Sequence, residues 1–301
     1  METESKSKSY WAVVAICILW GTTWLPSKIG VRYIPPLQLS GIRQLIAGSV
    51  FLTYFLFKGH RIPGRKELFR LLIQGFFFLA ISNGLTTWAM KYISSGVGAI
   101  MGSIVPLCIA LLGIFFKGTG KLTSLTKLGL ILGFAGIILV FFPDISLLFD
   151  ENNIDQSFGK GLLLSLIAAF GWSFGTLINA NDNSKLDPFY ALGWQMFLAG
   201  IIILLTSYSF EQTVPLNEIN HVVWLILAYQ VVFGSVLAFL AYIYALKRLP
   251  AAQVSIYAYI NPIIAVLLGW VLVNEPVNIY LAIGGVITLV GVYMVNRGFR
   301  K

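Results

Sequence analysis

Arg43 is the one formal charge well inside a long apolar stretch of this chain. The stretch begins at Pro36, so at 1.5 Å per helical residue the guanidinium is rooted about 10 Å below its end. Burying an arginine at the middle of a lipid-crossing helix costs about 2.5–3.5 kcal/mol even on a lenient scale. Two readings offset that cost. The side chain can snorkel outward and donate to loop carbonyls. Alternatively its planar fork can grip an anion in an aqueous cavity, and a lone arginine suits one carboxylate better than a cluster of phosphates. Polar and aromatic side chains in neighbouring apolar stretches fit the second reading: Trp20, Trp24, Asn83, Trp88, Gln195, Tyr257 and Asn261. A lining of this kind holds an apolar or aromatic ligand by contact and orients it with few polar groups. Two prolines, Pro106 and Pro262, lie within apolar stretches, where each removes an N–H and frees the carbonyl four residues earlier, that of Gly102 or Ala258. In lipid a freed acceptor must face protein, water or ligand, so both are predicted helix breaks or hinges, and a simple packing kink is the competing account. Met101, Ser103, Gln253, Ser255 and Tyr259 add further side chains with polar or polarisable tips on either side of the two prolines.

Other chemistries have little to stand on. No nucleophile–base set, paired carboxylates or metal-ligand spacing is present, so no catalytic residue, metal or cofactor is expected. His60 and His221 flank apolar stretches, and Cys17 and Cys108 read as small buried residues. Glu275 follows an apolar stretch rather than lying within one, so proton coupling has no intramembrane acid to use.

These residues must be positioned by elements whose solvent is lipid. Hydrophobic residues make up 57% of the 301 and charged residues 11%, against about 25% charged in a soluble domain. The net charge of +9 is spread between apolar runs. That placement argues against nucleic acid and for topology information. Ten apolar segments meet the rule of about 20 residues for a bilayer-crossing helix, at roughly 9–29, 36–57, 68–90, 95–116, 124–142, 160–180, 188–208, 221–246, 251–273 and 278–297. With the N-terminus in the cytoplasm, sixteen of the 21 Lys and Arg fall on the inner side and four on the outer, Arg43 being within a span. That bias predicts cytoplasmic N- and C-termini. Gly98-x3-Gly102 and Gly129-x3-Gly133 permit close helix contact.

The chain also repeats itself. Ala89, Lys91, Ile100, Ile104, Pro106 and Gly113 recur 156 residues later as Ala245, Lys247, Ile256, Ile260, Pro262 and Gly269. Trp20, Pro36, Ala47 and Gly48 recur 152 residues later as Trp172, Pro188, Ala199 and Gly200, which pairs Arg43 with Gln195. Five spans per half is an odd number, so the second half enters the membrane from the opposite side. The expected fold is an all-α integral membrane protein of ten transmembrane helices in two inverted five-helix repeats around a central cavity. Residues 1–8 form a cytoplasmic segment, 9–142 and 160–297 the repeats, 143–159 an outer loop and 298–301 a cytoplasmic tail. The copies differ where Gln253, Tyr257 and Asn261 stand against Val97, Met101 and Val105.

Leu19-Trp20-Gly21-Thr22-Thr23-Trp24 with Lys28 following, Arg43 in the second span, and Asn261-Pro262 through Leu268-Gly269-Trp270 to Asn274-Glu275-Pro276, then Gly284-Gly285 and Gly291, together resemble the EamA-type permeases of the drug/metabolite transporter superfamily. The resemblance covers residues 10–297. In the first half Lys117-Gly118 stands where the family has a Glu-bearing turn. The resemblance implies two five-helix repeats, alternating access and movement of small metabolites, often amino-acid export, across a bacterial inner membrane. The partners are then a small-molecule substrate and the lipid bilayer, with no nucleic acid. An organic phosphate or nucleotide sugar is the alternative cargo, and it needs a second cavity cation such as Lys28 or Lys91. A multispan scaffold without substrate is the alternative of another class.

Overall fold

The computed structural model describes residues 2–117, 123–140, 142, 156–249, 254 and 257–298. Gln253, Ser255, the Lys117-Gly118 turn beyond Lys117 and most of the expected outer loop lie outside the described residues. Among the described residues every regular element is helical: α1 (Glu2–Gly30), α2 (Pro36–Phe57), α3 (Arg65–Ala89), α4 (Ser95–Ser103), α5 (Val105–Lys117), α6 (Ser124–Val140), α7 (Gln156–Ala180), α8 (Pro188–Phe210), α9 (His221–Ala245), α10 (Tyr257–Val273) and α11 (Ile279–Gly298). Seven of these, α1, α2, α3, α7, α8, α9 and α11, are long and apolar enough to cross a membrane. The apolar helices over Ser95–Ile109, Ser124–Val140 and Tyr257–Val273 are shorter. The outward faces are apolar too: Ile131, Leu205, Leu225 and Leu272 are each more than 60% exposed. Such surface is unfavourable in water and ordinary in lipid.

The two prolines of the repeated segment behave differently. In the first copy the helix is interrupted at Ile104, between α4 and α5, and Pro106 is the second residue of α5. Beside the break, the Val105 carbonyl accepts a hydrogen bond from the Ser173 hydroxyl of α7 at 3.2 Å. In the second copy Pro262 lies inside an uninterrupted α10. The expectation there is a break or a hinge, and α10 shows no break at Pro262. Asn261, beside it, supplies an amide that bonds nearby carbonyls where the first copy has Val105 (below).

Helix starts are satisfied by side chains, some from far along the chain. Asp187 accepts from the Phe189 and Tyr190 amides at the start of α8, and Asn220 from Val222 at the start of α9. Glu211, after α8, accepts from the Leu37 and Gln38 amides at the start of α2, both at 3.3 Å. Glu275, after α10, accepts from the Ser95 amide at 2.9 Å and the Ser95 hydroxyl at 2.6 Å at the start of α4. Each carboxylate meets the positive end of a helix dipole and ties two spans together.

The two most extensive pairings are α6 with α11 and α2 with α8. Gly129 and Gly133 bring the α6 backbone onto Gly291 of α11, so this small-residue spacing serves packing within the chain. Inside that frame α1 packs on α9 and α10, while α7 packs on α3 and α5. Both α3 and α9 contain a π-helical stretch, Phe76–Ile81 and Gln230–Leu237. Shifted by 156 residues, the first falls on Val232–Leu237, inside the second.

Candidate functional site

The cavity between these helices has a volume of about 160 Å³. Its walls come from α1 (Trp20 to Ser27), α3 (Ser82 to Thr87), α4 and the start of α5 (Gly98 to Pro106), and α7 (Ser165 to Trp172), with Arg43, Phe239 and Asn261 completing it. On α1, α2 and α3 the lining lies toward the helix ends at Gly30, Pro36 and Ala89, so along these helices the cavity sits toward that end of the bundle, while on α7 it lies at mid-length.

Of the residues singled out from sequence, Trp20, Trp24, Arg43, Asn83, Tyr257, Asn261 and Pro106 line this cavity. Arg43 is held from one side. Its Nε donates to the Ser235 hydroxyl of α9 at 3.1 Å, and no carboxylate pairs with it among the described residues. Ser235 is buried and belongs to the π-helical stretch, as does Gly234, whose carbonyl accepts from Trp20 Nε1 at 3.0 Å. The distorted turn of α9 thus fixes both the arginine and the central tryptophan. Trp20 is the hub of an aromatic cluster: ring centroids of Tyr257, Tyr242, Phe239 and Trp172 lie 4.9, 5.2, 5.3 and 6.3 Å away. The Trp24 ring abuts Gly102, where an added Cβ would come 2.8 Å from it. This glycine of the Gly98-x3-Gly102 pair accommodates a cavity side chain rather than a helix. With its amide turned to satisfy its neighbours, Asn261 donates to the Tyr257 carbonyl of its own helix at 3.0 Å and to the Cys17 carbonyl of α1 at 2.9 Å.

Trp88, Gln195 and Pro262 are not among the lining residues. Trp88 packs against the apolar cluster formed with Leu37 and Ile203. Gln195 is buried and committed elsewhere: its Nε2 donates to Gln74 Oε1 at 3.0 Å and to Asn179 Oδ1 at 2.8 Å. In the repeat it is the partner of Arg43, each standing the same distance after the proline that starts its helix, Pro188 or Pro36. Ser103, noted as a flank of Pro106, and Trp172, the repeat partner of Trp20, also line the cavity; sequence reasoning passed over Phe239 and Ser165. The repeat itself carried a signal for Phe239, which matches Asn83 at 156 residues.

Among the described lining residues Arg43 is the one cation, and there is no Asp, Glu or His. Lys28 donates to the Met90 carbonyl at 2.7 Å, and Lys91 is exposed. No cluster of three or more metal-ligating side chains occurs among the described residues, and Cys17 and Cys108 are free and buried. At the end of the bundle away from the cavity, Arg70 Nη1 pairs with Asp182 Oδ1 at 3.2 Å. Ser184 donates to the same carboxylate through its amide and hydroxyl, both at 3.0 Å. Partial burial alone would raise the Asp182 pKa. The nearby Gln74 amide, Ser184 and the Arg70 charge outweigh it and hold the carboxyl below its ordinary value.

The sequence profile of the EamA-like transporter family matches residues 7–142 and 159–297. The chain belongs to that family. It is 31% identical over 275 residues to the inner membrane transporter YedA of Escherichia coli K12, itself uncharacterized, covering 89% of this chain and 83% of YedA. The uncharacterized transporter YoaV of Bacillus subtilis is 23% identical, with 96% and 97% covered. A chloroplastic WAT1-related protein of Arabidopsis thaliana is 25% identical, with 95% of this chain and 69% of the relative covered. A solved crystal structure superposes with a TM-score of 0.64 over 96% of each chain at 19% identity, which shows a shared fold. The EamA chain described here is thus a membrane protein of a transporter family, and its polar, aromatic cavity is the candidate site.

Proposed function

We propose that this chain is an inner-membrane permease that moves small amphipathic carboxylates, amino acids or their relatives, by alternating access, and exports them. The observation that carries the cargo class is Arg43, anchored at Nε by Ser235 and otherwise facing an aromatic-lined cavity in which it is the single cation. A ligand carboxylate would take the free edge of the guanidinium, and Trp20, Trp24 and Tyr257 would hold its side chain. At 10–15 Å³ per water-sized site, about 160 Å³ accommodates a ligand of roughly ten to fifteen heavy atoms. That size and the single cation both weigh against a nucleotide sugar or polyphosphate. A scaffold would not require a polar hollow at its centre. Export follows the family resemblance. Among the described lining residues no Asp, Glu or His is placed to relay a proton, which favours facilitated exchange over proton coupling.

The architecture in this reading is two inverted repeats, 9–142 and 160–297, joined by 143–159, with both termini, 1–8 and 298–301, in the cytoplasm. Matched positions support it. Trp20 and Trp172, Asn83 and Phe239, Met101 and Tyr257, Gly102 and Ala258, and Val105 and Asn261 are repeat equivalents, and all ten line the one cavity. The π-helical stretches of α3 and α9 coincide under the same shift.

Counterflow in proteoliposomes with labelled amino acids, decarboxylated amine analogues and phosphorylated sugars, with and without a pH gradient, tests the reading. The expected result is exchange of amino acids and not of phosphorylated sugars. Arg43→Gln should remove transport of the acids and spare the amines; equal loss of both would sink the carboxylate role.

A further inference from the structure

Three polar residues of the cavity end have partners at the other end of the bundle. Ser27, Arg43 and Gln230 correspond to Asn179, Gln195 and Gln74, the first two at a shift of 152 residues and the third at 156. Ser27 and Arg43 line the cavity, and Gln230 Nε2 donates to the Ser27 hydroxyl at 2.6 Å. At the other end the same three positions are bonded to one another, Gln195 Nε2 to Gln74 Oε1 and Asn179 Oδ1, and are not among the residues lining the cavity. Packing there is tight. A Cβ on Gly75 would lie 2.6 Å from the Gln195 carbonyl oxygen, so α3 and α8 touch backbone to backbone. One turn beyond Gln74, the Arg70–Asp182 pair ties α3 to the segment that follows α7.

This packing leaves hydrogen-bonding capacity unused. Arg70 Nε and Nη2 are buried without a hydrogen-bond partner, and Gln74 Nε2 has none within bonding distance, although it lies near enough to the Asp182 carboxylate to act on it. Donors in that condition cost free energy that rearrangement or a ligand can recover. Immediately after Gln74, α3 enters its π-helical stretch, a loosened turn able to absorb a change in helix direction.

We propose that Gln74, Asn179 and Gln195 are the closed gate on the side of the bundle remote from the cavity, latched by Arg70 and Asp182. On opening, the three line the second half of the pathway and present the unused donors to the cargo's carboxylate. Cavity-end Ser27, Arg43 and Gln230 close in turn. The inference rests on the transporter reading above and gives Gln195 a place in the pathway.

Accessibility tests it without any cargo. In a background with Cys17→Ala and Cys108→Ala, Thr176→Cys serves as reporter. Thr176 lies on α7 between cavity-lining Trp172 and gate residue Asn179, half-buried, its hydroxyl bonded to the Trp172 carbonyl. A membrane-impermeant maleimide is applied separately to each face of sealed vesicles. The parent should label slowly from the face bearing Lys58 and Lys185. Asp182→Asn, Arg70→Gln and Gly75→Ala, the last a wedge between α3 and α8, should each raise that rate at least ten-fold from that face alone. The exchange Arg70→Asp with Asp182→Arg should bring it back toward the parent rate. A variant that merely unfolds exposes the reporter from both faces. Fast labelling of the parent, or rates from that face unmoved by all three variants, overturns the gate. Counterflow is scored independently. Loss of transport activity throughout, with the accessibility shifts present, would refute the transporter reading and leave the gate standing; the reverse outcome would refute only the gate.

Discussion

Arg43 on α2 and Gln195 on α8 hold equivalent positions in the two halves, and their surroundings differ in one respect that matters. Among the described residues Arg43 has a single hydrogen-bond partner, Ser235, and it faces the cavity. Gln195 has two, Gln74 and Asn179, and packed protein around it. A charge and a neutral amide at matched depth are thus kept for different purposes. The charge is left partly unpaired at a place that can admit an anion, where a charge-assisted bond contributes most. The amide is spent on closure, where a neutral group can be buried at little cost once both its bonds are made. The scaffold repeats and the chemistry does not.

The comparison breaks most sharply if the charge is moved. Gln195→Arg would bury a guanidinium among amides, with the nearby Asp182 carboxylate already paired to Arg70, at a cost of about 2.5–3.5 kcal/mol or more. Loss of the folded monomer, or a large fall in Tm in detergent, is expected. An Arg at 195 tolerated with unchanged Tm would mean that the two sites are electrostatically alike. Next in size, Arg43→Gln removes one charge-assisted contact worth about 1.5–3 kcal/mol. Acid counterflow should fall by one to two orders of magnitude while Tm holds, because the neutral amide can still reach Ser235. Smaller again, Glu275→Gln weakens the bonds to the Ser95 amide and hydroxyl that start α4. A cap of this kind contributes about 1 kcal/mol, so thermal stability should drop modestly. Glu275→Ala should cost more, since it leaves the Ser95 amide without its acceptor.

Much of the helical scaffold was readable from the chain because apolar length and the positions of Pro, Gly and charge decide where a lipid-crossing helix starts and stops. α2 begins at Pro36 and α8 at Pro188 as the repeat predicts. The site was legible where a residue's type conflicts with its setting, as with Arg43 or Asn83 in an apolar helix. It was not legible where function depends on which face of a helix looks inward. Gln195 and Trp88 are polar or aromatic residues at suitable depths, yet they face a bonded network and an apolar cluster. The π-helical stretches left no trace in residue type, since Phe76–Ile81 is simply apolar. They are set by the need to satisfy backbone and neighbours after packing, a tertiary constraint that periodicity does not report.

The finest test separates Trp20 from its repeat partner Trp172. Both line the cavity and both contact Phe239, with centroids 5.3 and 6.4 Å away. Trp20 alone is shown donating its indole N–H, to the Gly234 carbonyl of the π-helical stretch that also carries Ser235, the anchor of Arg43. Replacing either tryptophan by phenylalanine removes similar aromatic surface. Trp20→Phe additionally orphans a carbonyl and loosens the turn that holds the arginine, a loss of about 0.5–1.5 kcal/mol. Trp20→Phe should therefore weaken apparent affinity for acids several-fold more than for amines, since the damage reaches Arg43. Trp172→Phe should weaken both equally and slightly, through packing alone. If the two variants shift acids and amines alike, the π-helical stretch does not couple Trp20 to Arg43, and the asymmetry between the halves lies in the arginine by itself.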